Sequence, residues 1–366
     1  MITVTRSSMP PFEEYVQEIE SIWATRFLTN AGEKYHALED ALKTYLDSPN
    51  ISLFVNGHLA LETAISALSL KGEVITTPFT FASTTQAIVR NGLTPVFCDI
   101  NEKDYTIDAD KIEALITPAT CAIVGVHVYG NVCDDEKITR IAKKHGLKVI
   151  YDAAHAFGET YKGRSVATLG DVSMFSFHAT KVFHTIEGGC VTFADGSFLP
   201  KVEAIKNFGQ YSPEKIGEIG GNAKMNEFQA AMGICNLRHL PEEIAKRKKA
   251  ALAYREKLAS VKGITLMEEN SDTVYNYAYF PVVIDPDVFG MDRNRLAEEL
   301  KAQGILARKY FYPLTSAFDC YKGLFPVQST PIAERIANRV LALPLFADLT
   351  ETVVKRICDT ILNLRK

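Results

Sequence analysis

The sequence predicts an α/β protein: a mainly parallel, seven-stranded sheet with helices on both faces, followed by a smaller α+β unit. Three observations carry this. Seven short, apolar, β-rich runs lie between residues 51 and 193. Segments with helical apolar spacing follow several of them, and such alternation builds parallel sheets buried on both faces. The pattern changes near residue 241, where a long charged stretch rich in Lys, Glu and Ala begins.

The elements follow in order. Two helical stretches, 12–23 and 35–46, precede the first strand. Residues 51–55 (Ile-Ser-Leu-Phe-Val) form that strand, and Leu61, Ala64, Ile65 and Leu68 keep helical spacing over 60–70. The run 74–77 leads to a helix over 83–91, and 94–98 is the third strand. The fourth, 122–126, leads to a polar helix over 134–145. The runs 147–151, 172–177 and 189–193 complete the sheet. In such sheets ligands bind where the loops gather, at the carboxyl ends of the strands. Beyond them come a charged helix over 241–258, a strand over 277–284 and helices over 293–303 and 349–364. The expected division is a large unit, 1–245, and a small C-terminal one, 246–366.

Composition bounds the function. With 366 residues, two units of roughly 150 residues or somewhat more are expected. The formal charge of -4 disfavours a protein whose main work is to neutralise nucleic-acid phosphate. Seven scattered cysteines form no Cys-x-x-Cys pair, so reduced thiols are expected and neither a disulfide framework nor a metal site. There is no apolar run of membrane-spanning length, and the first residues lack the order of a signal peptide. The expectation is a soluble cytoplasmic enzyme.

Three strand-end segments carry chemistry. Asn56-Gly57-His58 joins a strand to a helix, where outward N–H groups can hold a phosphate; such a turn also carries Gly for packing alone. Asp152-Ala153-Ala154-His155 follows the fifth strand at once. Its acid sits where a site would be, and would equally cap a helix. Ser176-Phe177-His178-Ala179-Thr180-Lys181 follows the sixth strand. A lysine among apolar groups loses basicity and becomes a usable Schiff-base nucleophile. A phosphate turn, a strand-end acid and a lysine on one sheet edge together suggest pyridoxal phosphate. No Gly-x-Gly-x-x-Gly follows a strand, which argues against a nicotinamide-dependent oxidoreductase.

These stretches, with Thr77-Pro78-Phe79-Thr80-Phe81-Ala82, Val126-His127-Val128-Tyr129-Gly130-Asn131 and residues 221–231, resemble the DegT/DnrJ/EryC1/StrS sugar-nucleotide aminotransferases. That family belongs to fold type I of the pyridoxal-phosphate enzymes. The resemblance implies the following roles. Lys181 holds the cofactor as a Schiff base and moves the proton. Asp152 pairs with the pyridinium nitrogen, His155 touches the ring side, and Phe81 stacks on the ring. Gly57, His58 and Ser176 cradle the phosphate, although many relatives carry Thr or Ser where this chain has His58. Asn222 reaches the cofactor phosphate of a neighbouring subunit, so a homodimer shares its active sites. Related sugar dehydratases replace the lysine with histidine, so Lys181 favours transamination, with pyridoxamine phosphate between its two halves. His178 and His184 read as loop residues packed near the lysine. Arg308, Lys309 and Tyr310 border the donor or sugar-nucleotide site. The stretch holding Thr29 and Asn30 resembles relatives that aminate dTDP-4-keto-6-deoxyhexoses. The implied reaction is amination of such a sugar at C4 by L-glutamate, for amino sugars of surface polysaccharide; amination at C3 is the nearest rival.

Overall fold

The computed structural model describes residues 1–365. Seven strands form the central sheet: β1 (Ile51–Phe54), β2 (Glu73–Thr76), β3 (Thr94–Phe97), β4 (Thr120–Val126), β5 (Lys148–Asp152), β6 (Val172–Ser176) and β7 (Gly189–Phe193). Their order is β1-β7-β6-β5-β4-β2-β3. The pairs from β6 through β5, β4 and β2 to β3 are parallel. Strand β7 runs against both of its neighbours. The reason lies in the connection. Parallel pairing needs a crossover, usually helical. Residues 177–188 contain no helix and fold straight back, so β7 returns antiparallel and Lys181 stays at the carboxyl end of β6.

Helices α1 (Phe12–Thr25), α2 (Glu33–Tyr45), α3 (Gly57–Ala67), α4 (Ala82–Arg90), α5 (Asp135–His145), α6 (Leu199–Lys206) and α7 (Glu227–Leu258) accompany the sheet. Successive strand residues enter different cores, as the pleat requires. Ile123 and Val149 pack with Leu38, whereas Val124 and Ile150 pack with Leu61.

Helix α7 starts 14 residues before the expected Pro241. Proline lacks an N–H and reads as a helix start. Here α7 runs through it, capped by a reciprocal Asn226–Gln229 box. Its first half is buried through Ala230, Ala231, Met232 and Cys235, and tertiary packing outweighs the lost hydrogen bond. Residue 245 lies inside this unbroken helix.

Beyond α7, strands β8 (Ile264–Leu266), β9 (Phe280–Ile284) and β10 (Val340–Leu343) form an antiparallel sheet. It packs with α8 (Arg293–Ala302) and α10 (Glu351–Leu364); α9 (Pro331–Arg339) leads into β10. Strand β9 begins three residues later than expected, because Tyr277 takes φ +56° and turns the chain.

This region is anchored to the large sheet by buried polar contacts. Both carboxylate oxygens of Asp99 accept from the start of α9, at Ile332 N (3.1 Å) and Ala333 N (2.8 Å). Thr315 N donates to Pro78 O at 3.0 Å. Such anchors hold the 308–311 loop over the sheet edge.

A second carboxylate organises the N-terminal region. Glu227 accepts from Gly32 N (3.0 Å), the N-cap of α2, and from Lys34 N (2.7 Å) and Tyr35 N (3.2 Å) in its first turn. Glu227→Gln sets an amide N–H₂ against one of them. The expected cost is about 1–3 kcal/mol, read as a lower urea midpoint. An unchanged midpoint would show that the cap carries no stability.

All seven cysteines are free, and five are buried. Among the described residues no helix is long and apolar enough to cross a membrane.

Candidate active site

The carboxyl ends of β1, β4, β5 and β6 and the 308–311 loop enclose a cavity of about 450 Å³. Asp152 closes β5. It is buried, accepting from Thr84 Oγ1 at 2.6 Å and from Ala154 N at 3.1 Å. Burial holds its carboxyl above the usual range, and the two hydrogen bonds and Lys181 oppose that shift. Such a group keeps its charge best when a cation sits against it.

His155 lies one turn on, with Nδ1 accepting from Tyr129 N at 3.0 Å. Burial, then Lys181, lowers its pKa well below the ordinary value, so the ring is neutral with its hydrogen on Nε2. It lies parallel to Phe311 (3° between planes, centroids 5.8 Å apart) and 4.7 Å from Tyr279. Asn276 fixes this wall. Its Nδ2 donates to His155 O (2.8 Å) and Phe157 O (3.0 Å).

Lys181 sits in the turn after β6, its N–H donating to His178 O at 2.8 Å. The side chain is enclosed by protein except where it opens to the cavity. Its Nζ lies 5.8 Å from the centroid of Tyr279. Enclosure lowers its pKa to about 8, with Asp152 and Tyr310 pulling the other way. A lysine reacts as the free amine, so acylation of Lys181 by an amine-selective reagent should rise as pH passes through about 8. Surface lysines follow only at higher pH. Mass spectrometry of labelled peptides checks this, and simultaneous labelling of all lysines would refute the shift.

The phosphate turn is built as its chemistry requires. Asn56 Oδ1 accepts from Leu59 N at 2.9 Å, leaving the first N–H groups of α3 directed outward. A Cβ at Gly57 would stand 2.8 Å from Ser176 Cβ, so only glycine permits this approach. His58 reaches Ser83 Oγ with Nδ1 at 2.8 Å.

Gly57, His58, Phe81, Asp152, His155, Ser176, Lys181, Arg308 and Tyr310 thus meet around one cavity. Lys309 points to solvent outside it. Thr29, Asn30 and Asn222 do not line it either; for Asn222 the resemblance implies a site on a neighbouring subunit. Glu227 N donates to Leu28 O at 3.0 Å and holds that loop beside α7. Asn30 instead lines a second cavity of about 550 Å³ with Lys206, Asn207 and Lys224. Asn222 pairs with Asn207 and is exposed. Of the two loop histidines, His178 lines the first cavity, whereas His184 is buried against Ser8 and Asn236.

Sequence reasoning missed Thr84 and Tyr279, and read Phe311 only as one of the aromatics in the loop that carries Arg308, Lys309 and Tyr310. Thr84 stands one turn after Thr80, whose hydroxyl it meets at 2.8 Å; no pattern marks either as a partner of Asp152. Tyr279 and Phe311 arrive from distant parts of the chain.

The donor set fits pyridoxal phosphate. A buried carboxylate suits a protonated ring nitrogen, a weakly basic lysine suits an aldehyde carbon, and the α3 turn with Ser176 suits the phosphate. The fold and this site define a pyridoxal-phosphate-dependent aminotransferase. The profile of the DegT/DnrJ/EryC1/StrS aminotransferase family matches residues 12–362, and the chain belongs to that family. It is 43% identical to the dTDP-4-amino-4,6-dideoxy-D-glucose transaminase of Shigella dysenteriae, over 100% of this chain and 99% of that one. The Escherichia coli enzyme of the same name is also 43% identical, over 99% and 98%. Among solved structures, DesI in the presence of its TDP-sugar product superposes with a TM-score of 0.95 at 34% identity, covering 99% of this chain and 93% of that one.

Proposed function

We propose that this enzyme transfers the amino group of L-glutamate to C4 of dTDP-4-keto-6-deoxyglucose, giving dTDP-4-amino-4,6-dideoxyglucose. The observation that carries this reading is the full-length 43% identity to two transaminases named for that product. A lysine, not a histidine, at position 181 supports transamination over dehydration.

The roles follow from the geometry. Bound pyridoxal phosphate supplies an electron sink for the electrons released at the substrate carbon. Asp152 holds the positive charge that makes the sink effective, and Thr84 keeps that carboxylate oriented. Lys181, poised near neutrality, removes the proton from the amino-acid carbon and returns one on the other side of the exchange. Neutral His155 and Phe311 wall the cavity on one side. Arg308, with Nη1 donating to Tyr310 Oη at 2.8 Å, offers its guanidinium to a carboxylate or a diphosphate.

The working unit is a homodimer in which Asn222 and the Thr29–Asn30 loop complete the partner's site. Their placement away from their own Lys181 cavity supports this. Mixing inactive Lys181→Ala with inactive Asn222→Ala protomers should restore up to about a quarter of wild-type activity through mixed dimers. No recovery would mean that Asn222 serves its own chain.

The reaction is tested by assaying the purified enzyme with L-glutamate against a panel of 3- and 4-keto-6-deoxy sugar nucleotides. Mass spectrometry and NMR then identify the carbon that gains nitrogen. Clean amination of a 3-keto sugar, with none of any 4-keto sugar, overturns the assignment of position.

A further inference from the structure

We propose that Ser83 is a further phosphate-binding residue of this site, and that His58 is the positioning residue that aims its hydroxyl. Ser83 Oγ lies 2.8 Å from His58 Nδ1, its one hydrogen-bond partner among the described residues. Both side chains line the cavity that holds Lys181 and Ser176. On its other side, His58 Nε2 is 3.3 Å from Glu62 Oε2. That oxygen also accepts from Arg90 Nε at 2.7 Å. The imidazole is therefore fixed from behind, and the hydroxyl it meets stands at the cavity wall.

The chemistry turns on one hydrogen. A serine hydroxyl has a single hydrogen to donate. When Nδ1 is bare, Ser83 donates that hydrogen to the ring. When both ring nitrogens carry hydrogen, Nε2–H faces Glu62 and Nδ1–H donates to Oγ. The hydroxyl hydrogen is then released towards the cavity. Besides Arg90, the charged or titratable groups facing the ring across the cavity are Asp152, His178, Lys181, Glu187 and Arg308. Helix α3 has no hydroxyl of its own at position 58, so the donor is supplied from the first turn of α4.

The ligand chemistry is a phosphate oxyanion. It belongs either to the cofactor or to the diphosphate of the sugar nucleotide; the second source rests on the function proposed above. The variants are Ser83→Ala, Ser83→Thr, His58→Phe and the double His58→Phe/Ser83→Ala. Spectral titration gives the dissociation constant of pyridoxal phosphate, with pyridoxal as its phosphate-free control. Calorimetry on the loaded enzyme gives that of dTDP, with thymidine as its control. Ser83→Ala should weaken one phosphate ligand about tenfold and leave its control unchanged, and Ser83→Thr should restore it. The ligand that changes identifies the source. The double variant should bind no more weakly than Ser83→Ala alone, because His58 acts through Ser83. Should Ser83→Ala not fold, Ser83→Cys replaces the donor with a weak one at similar volume.

Three outcomes overturn the proposal: both phosphate affinities stay within about twofold, the controls weaken equally, or the two substitutions add in full. These readouts are affinities, so they hold whether or not a 4-keto sugar is aminated.

Discussion

Lys181→Ala is expected to lower amino transfer by at least about 10⁴-fold, because one side chain supplies both the nucleophile and the proton carrier. The same substitution should make the cofactor-free protein more heat-stable. The sign follows from the lowered pKa. An exposed lysine titrates near 10.4, whereas the folded chain holds this one at about 8. Between those values the unfolded chain binds more protons, so stability rises with pH across the window. Below about 8 the folded state carries the full cost of an enclosed ammonium, and alanine removes it. Melting curves of both proteins should differ most below pH 8 and converge towards pH 10. Retention of full turnover by the variant would remove Lys181 from the mechanism.

Asp152→Asn should reduce kcat/KM roughly a hundredfold to several thousandfold, the scale of removing one member of a buried charge pair. The amide keeps an oxygen for Ala154 N but cannot hold a positive charge on the ring nitrogen. Cofactor retention after dialysis should fall alongside. The protein itself should not be destabilised. Burial holds this carboxyl above its ordinary range, so folding opposes its ionisation, and stability declines as pH rises past the unfolded carboxylate value. Asparagine lifts that cost at neutral pH. Unfolding of the variant at pH 7 would contradict this account and would assign Asp152 a structural role.

Both residues could be read before any coordinates. Asp152 and Lys181 follow apolar runs, and a parallel sheet sends every such run to the same edge. Gly57 was legible for the same reason, since it too follows a strand. The antiparallel return of β7 was not, because a 12-residue link between two apolar runs carries no direction of its own. The span of α7 was not either, since Pro241 punctuates a sequence that packing then overrides.

The sequence by itself determined the strand series, the lysine and acid at its strand ends, and the glycine turn, because these depend on local spacing along the chain. Only the tertiary structure decided which side chains surround them. Thr84 against Asp152, Phe311 and Tyr279 against His155, and Ser83 against His58 are pairs of residues 25 to 156 positions apart. Thr29, Asn30 and Asn222 show the converse: these residues do not line the cavity of Lys181 in their own chain. Proximity of that kind is set by the packing of whole elements, and no local pattern of polarity encodes it.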